Sequence, residues 1–167
     1  MTVSATPPHV LFLCTGNSAR SIMAEVILNH LGQGRCKAYS AGSHPKGAVH
    51  PLAVATLQRM GLPVDGLRSK SWEEFAKPDA PLLDFIVTVC DNAAGEVCPV
   101  WPGKPMTAHW GVEDPAAFQG TKDAQRQKFR EVALMLRRHI EQFLRLPLAT
   151  LDRMTMLAKL QEIGQGA

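Results

Sequence analysis

Nothing in this 167-residue chain approaches the run of about eighteen apolar residues that a membrane-spanning helix needs, so no membrane role is expected. Residues 1–8 lack the basic and apolar regions of a secretion signal, which sets the expectation of a cytoplasmic protein. Blocks of Lys and Arg with interleaved aromatics are also missing, and the formal net charge is only +3. Nucleic acid is therefore not an expected partner. Cysteine is scarce: Cys14, Cys36, Cys90 and Cys98 are the four, and no two of them form a Cys-x-x-Cys pair. The step from Cys90 to Cys98 is not a zinc-ligand spacing either, so no zinc site is expected, and in a reducing compartment redox or catalytic use outranks structural disulfides. Tyrosine occurs once, as Tyr39.

What is present is an ordinary globular composition, 46% hydrophobic and 20% charged, at a length that suits one domain with a full core. Apolar runs that read as strands alternate with segments of helical periodicity. Strands are expected over 10–13, 36–40, 82–89 and 106–110, the third from its β-branched and aromatic content. Helices are expected from about 19 to 32, over 48–60 and 121–144, and over 151–163 with Gly164 as the stop. Ser71, three residues before Glu74, predicts a brief helix opened by a capping box. In the last helix Met154, Leu157 and Leu160 read as packing residues. This alternation predicts a single α/β domain with a sheet of about four parallel strands flanked by helices. Residues 1–8 are expected to form a mobile tail, 9–146 the catalytic domain, and 147–167 a helical extension.

In such sheets ligands bind beyond the carboxyl ends of the strands, and there the chain carries Cys14-Thr15-Gly16-Asn17-Ser18-Ala19-Arg20-Ser21. An apolar strand delivers Cys14 to its end. Gly16 and Asn17 tolerate the left-handed angles that let successive N–H groups converge on one spot. A following helix aims its positive end there, and Arg20 adds a fork of donors shaped for a tetrahedral oxyanion. A thiolate gains from the same groups. Cys36, in a predicted strand, reads as a core residue. Asp114, with Pro115 stiffening its turn, is the candidate acid, the plainer alternative being a capping Asp.

The Cys-x5-Arg-Ser pattern after an apolar strand resembles the phosphate loop of the low-molecular-weight protein tyrosine phosphatases and of the arsenate reductases built on the same fold. The segment from His109 to Pro115 resembles the acid loop of those reductases. Thr88-Val89-Cys90-Asp91, with Cys98-Pro99, is similar to their resolving segment. In the phosphatases a Tyr usually follows the Asp-Pro pair, whereas Ala116 follows here, so a phosphotyrosine pocket is poorly supplied.

The resemblance implies reduction of arsenate to arsenite as part of arsenic resistance. Residues 15–21 would bind arsenate or another phosphate-like oxyanion, Cys14 would attack arsenic, and Asp114 would protonate the departing oxygen. Cys90 would resolve the adduct and Cys98 would take over the disulfide. The implied partner is an external thiol reductant, thioredoxin or glutathione with glutaredoxin, with no bound cofactor. Relatives can hold potassium beside the loop; Asn17, Glu25 and Ser40 match that site, but the position of its Asp is Trp72, so no metal is expected. The spacing from the second to the third cysteine is one residue longer than in the thioredoxin-coupled subgroup. A phosphatase and a non-catalytic oxyanion-binding regulator are the alternatives.

Overall fold

The computed structural model of the protein describes residues 7–90, 101, 103–148 and 151–165. At its centre runs β1 (His9–Cys14), whose residues from Val10 onward are all buried. It pairs in parallel with β2 (Lys37–Gly42) on one side and β3 (Phe85–Thr88) on the other, and β3 pairs with β4 (Met106–His109). The resulting order is β2-β1-β3-β4, with β2 and β4 at the edges. A central strand covered on both faces has no room for polar alternation, which is why its sequence is a continuous apolar run.

Alternate residues of β1 enter different layers. Val10, Phe12 and Cys14 join the larger core with α1 (Arg20–Leu31), α3 (Lys122–Leu144) and α4 (Arg153–Gln165), while Leu11 and Leu13 face a smaller cluster with Ala41, Phe75, Leu83 and Ile86. Leu11, Phe12 and Leu13 are wholly buried, each worth about 1.5–3 kcal/mol of transfer free energy. Helix α2 (Pro51–Arg59) packs on α1 and α3.

Several expected boundaries shift for identifiable reasons. The third strand covers only Phe85–Thr88, because its paired register with β1 runs only from Val10 to Leu13; Leu82 is 65% exposed, and Asp84 still bonds through its backbone to His9 and Met106 while its carboxylate accepts the His9 N–H. Helix α2 starts at Pro51 rather than 48, since a proline at the first helical position needs no N–H partner and the His50 side chain caps the turn. Ser71 caps a single 3-10 turn, Trp72–Phe75, by accepting the Glu73 N–H; Glu74 pairs with Arg68 instead of closing a capping box.

Gly164 does not end the last helix, which runs on to Gln165. A Cβ at Gly164 would stand 2.0 Å from the His109 carbonyl oxygen, so the glycine serves a close approach and not a stop. Met154 on the same helix is 84% exposed, and its packing is done by Met156, Leu160 and Ile163.

Candidate active site

Cys14 closes β1, and the chain turns through residues 15–19 before α1 begins at Arg20. Asn17 sits at the bend with φ of 44°, a left-handed conformation that Asn tolerates better than most residues, and it is fully buried. Its backbone N–H donates to Cys14 Sγ at 3.2 Å. Its side-chain amide spans two elements: Oδ1 accepts the Lys70 backbone N–H at 2.8 Å and Nδ2 donates to Ser21 Oγ at 2.8 Å. The Lys70 bond fixes which end of the amide is oxygen. Ser21 Oγ, which accepts from Asn17, stands 2.9 Å from Cys14 Sγ and can give its proton to a thiolate there.

The loop carbonyls are taken up from outside. Thr15 O accepts the His44 N–H, Gly16 O accepts the Lys46 N–H and the Ser69 hydroxyl, and Ser18 O accepts the His50 N–H. The loop also rests on the end of β2, where a Cβ on Gly42 would lie 2.5 Å from Thr15 O and 3.0 Å from Asn17 N. These bonds brace the turn from outside. Of the residues expected to bind the anion, Thr15, Gly16, Asn17, Ser18, Ala19, Arg20 and Ser21, the Asn17 N–H and the Ser21 hydroxyl meet the Cys14 sulfur, and Arg20 reaches from the same turn toward Asp114.

Arg20 joins this turn to the candidate acid. Its Nη1 donates to Val112 O at 3.1 Å, and its Nη2 lies 3.7 Å from Asp114 Oδ2. Asp114 uses its other oxygen to cap the 3-10 turn Pro115–Ala117, accepting the Ala116 N–H at 3.0 Å. Asp114 therefore caps the turn with one oxygen and faces Arg20 with the other. Cys90 lies two residues beyond β3 and is buried, with its Sγ 3.7 Å from Thr15 Oγ1. The Val89 N–H to Leu13 O bond brings that strand end alongside Cys14. Cys98 and its neighbours fall in residues 91–100, outside the described residues.

Cys36 takes no part. It precedes β2 at the opposite end of the sheet, and burial pushes its thiol up to about 11. Glu25 and Ser40, matched in sequence to a potassium site, here face a cation of the chain itself. Lys70 Nζ stands 3.7 Å from Glu25 Oε1, 3.3 Å from Ser40 Oγ and 3.1 Å from Arg68 O, and Ser40 donates to the same Glu25 oxygen. Burial lowers the Lys70 value below that of an ordinary lysine, and the Glu25 carboxylate opposes the shift. Trp72 is turned edge-on to Trp101 instead. Among the described residues no group of three or more His, Cys, Asp or Glu could hold a metal ion, and no helix is long and apolar enough to cross a membrane.

Sequence reasoning missed Gly42, Lys70, His50 and Val112. Gly42 had a local signal, a glycine ending a predicted strand, whereas Lys70 sits in an irregular segment with none. His50 accepts the Leu52 N–H on Nδ1 and lies 4.8 Å from the Phe129 ring, a capping role that His-Pro before a helical pattern hints at. Burial, with Lys46 adding to it, pushes His50 below the ordinary histidine value.

Comparison with known proteins places this geometry. Residues 9–157 match the profile of the low molecular weight phosphotyrosine protein phosphatases. The chain is 35% identical over 134 residues to an arsenate reductase of Shouchella clausii, covering 80% of this chain and 93% of that protein. It is similar in structure to an arsenate reductase in its phosphate-binding state, with a TM-score of 0.64, 29% identity and coverage of 80% of this chain and 94% of that one. A low molecular weight protein tyrosine phosphatase of T. tengcongensis is similar as well, with a TM-score of 0.66, 25% identity and coverage of 80% and 95%.

Proposed function

The chain belongs to the low molecular weight phosphotyrosine protein phosphatase family, and from that premise we propose that it reduces arsenate to arsenite through thiols. The observation that carries this reading is the second buried thiol, Cys90, set 3.7 Å from the hydroxyl of Thr15, the residue next to Cys14. Hydrolysis of a phosphate ester needs one cysteine, whereas taking arsenic from its +5 to its +3 state needs two electrons, which two thiols supply by becoming a disulfide.

The oxyanion docks on the 15–21 turn and Arg20. The Cys14 thiolate attacks arsenic, forming an S–As bond, while Asp114 gives a proton to an arsenic-bound oxygen that leaves as water. Cys90 then loses its proton and attacks Cys14 Sγ. The electron pair of the S–As bond passes to arsenic, arsenite departs, and a Cys14–Cys90 disulfide remains. Cys98 attacks Cys90, frees Cys14, and leaves a Cys90–Cys98 disulfide for an external thiol reductant, either thioredoxin or glutathione with glutaredoxin. Residues 9–146 carry this chemistry. Ala116, in place of an aromatic residue after Pro115, weighs against aryl phosphates as the substrate.

A paired assay tests the reading. Arsenate should drive NADPH oxidation through a thioredoxin or a glutathione–glutaredoxin system, with little hydrolysis of p-nitrophenyl phosphate. Strong aryl phosphate turnover without arsenate-dependent oxidation would make the protein a phosphatase. Oxyanion binding with neither activity would make it a regulator.

A further inference from the structure

The profile shared with the family ends at residue 157, inside α4, and leaves the last turns of that helix without an assigned role. Those turns lie against the end of β4. The Leu160 carbonyl accepts the Trp110 indole N–H at 2.9 Å, in a bond that is wholly buried. One turn on, a Cβ at Gly164 would be 2.0 Å from His109 O and 2.9 Å from Trp110 Cδ1, so the backbones of helix and strand touch. Trp110 is 1% exposed and packs on Phe12, Phe143 and His139.

The acid loop starts at this point. Trp110 N–H donates to Thr88 O at 2.8 Å and Val112 N–H to Val89 O at 3.1 Å; Val112 O then takes the Arg20 guanidinium, and Asp114 follows two residues later. Yet β4 is a four-residue edge strand, with β3 as its one neighbour in the sheet among the described residues. A short edge strand with one ladder frays easily. Its outer support is α4.

We propose that α4 is a strap on the acid loop, in which Leu160 and Gly164 are positioning residues that hold Trp110 and so set the height of Asp114 over the Cys14 turn. The kinetic part rests on the proposed role of Asp114; the structural part does not. If Trp110 is released, the 111–114 segment keeps its bonds to Val89 and Arg20 but loses the fixed end from which it departs. Apart from the Arg20 side chain, the Cys14 turn is anchored on Gly42, Lys70 and the 44–50 segment, so its backbone amides should respond far less.

Two full-length variants separate these outcomes: Gly164→Val, which forces the helix off His109, and Trp110→Phe, which keeps a ring but removes the indole donor. Amide hydrogen exchange at 110–114 should accelerate about tenfold in both while 14–21 changes less than about twofold. Arsenate turnover should fall about tenfold in kcat with KM within about twofold, and the acid-dependent limb of its pH profile should move. Native exchange at 110–114 in both variants overturns the strap, as does equal acceleration at 14–21, which would mean that α4 only stabilises the whole domain. Faster exchange at 110–114 with unchanged kcat and pH profile overturns the positioning role. Absence of arsenate turnover in the native chain overturns the proposed function instead, and exchange alone then decides on the strap.

Discussion

The backbone N–H of Lys70 donates to Asn17 Oδ1 at 2.8 Å, across 53 residues of sequence. That one bond orients the Asn17 amide, which donates to Ser21 Oγ, and Ser21 Oγ in turn lies 2.9 Å from Cys14 Sγ. The surroundings of the Cys14 thiol are thus set from a segment with no regular structure. The same residue's ammonium stands with Glu25 of α1 and Ser40 of β2, so its backbone holds Asn17 while its side chain ties the helix to the strand.

Asn17→Ala removes both amide contacts and puts a Cβ residue without the Asn preference at φ of 44°. The lost hydrogen bonds leave buried partners unsatisfied, a cost of about 1–3 kcal/mol each. A lowered urea midpoint is expected; arsenate should also slow alkylation of Cys14 in the native chain and fail to do so in the variant. Asn17→Gly, which accepts the angle but lacks the amide, should recover part of the stability and none of the protection. Full protection in Asn17→Ala would show that the amide does not shape the site.

Gly42→Ala probes the floor of the loop. Its Cβ would meet Thr15 O at 2.5 Å, and backbone must move to relieve that contact. A displacement of about 1 Å at a reacting centre costs on the order of 10²-fold in rate. kcat/KM for arsenate should drop by about that factor while far-ultraviolet circular dichroism stays native. An unchanged kcat/KM would mean that β2 does not support the turn.

Titration of His50 links pH to stability. The folded value lies below 6.5, chiefly through burial, while the unfolded chain titrates near 6.5. The unfolded state then binds more protons in that window. The stability that neutral His50 contributes is fully present above pH 6.5 and is lost as pH falls through the folded value. Protonated Nδ1 also cannot accept the Leu52 N–H that caps α2. His50→Asn, a residue that caps at any of these pH values, should lose less stability than the native chain between pH 7.5 and pH 5, as read from urea midpoints. Parallel pH dependence in the two proteins would remove His50 from the account.

Cys98→Ser addresses the relay. If Cys98 takes over the disulfide, the variant with thioredoxin should stall after one turnover, and peptide mapping should find a Cys14–Cys90 bond. Undiminished multiple turnover with thioredoxin and with glutaredoxin would leave Cys98 without a part in the reaction.

Much of this protein was legible along the chain because the responsible interactions are local. An apolar run of strand length, a Gly-Asn turn and helical periodicity within a few residues mark β1, the Cys14 turn and α1, and backbone geometry alone then places Cys14, Asn17 and Arg20 together. Alternation of strands and helices likewise implied the parallel sheet, and with it the nearness of Cys14 to Cys90, since parallel strands point their carboxyl ends the same way. Tertiary structure decided the rest. Whether the third strand runs eight residues or four depends on where β1 offers partners, and whether Gly164 stops a helix or admits the His109 carbonyl depends on how closely α4 meets β4. The cation beside Glu25 is Lys70, and nothing near it in sequence says so, because its three oxygen partners come from α1, β2 and its own loop. Contacts of that kind are set by the distance between elements after packing, a quantity that no local pattern of residues encodes.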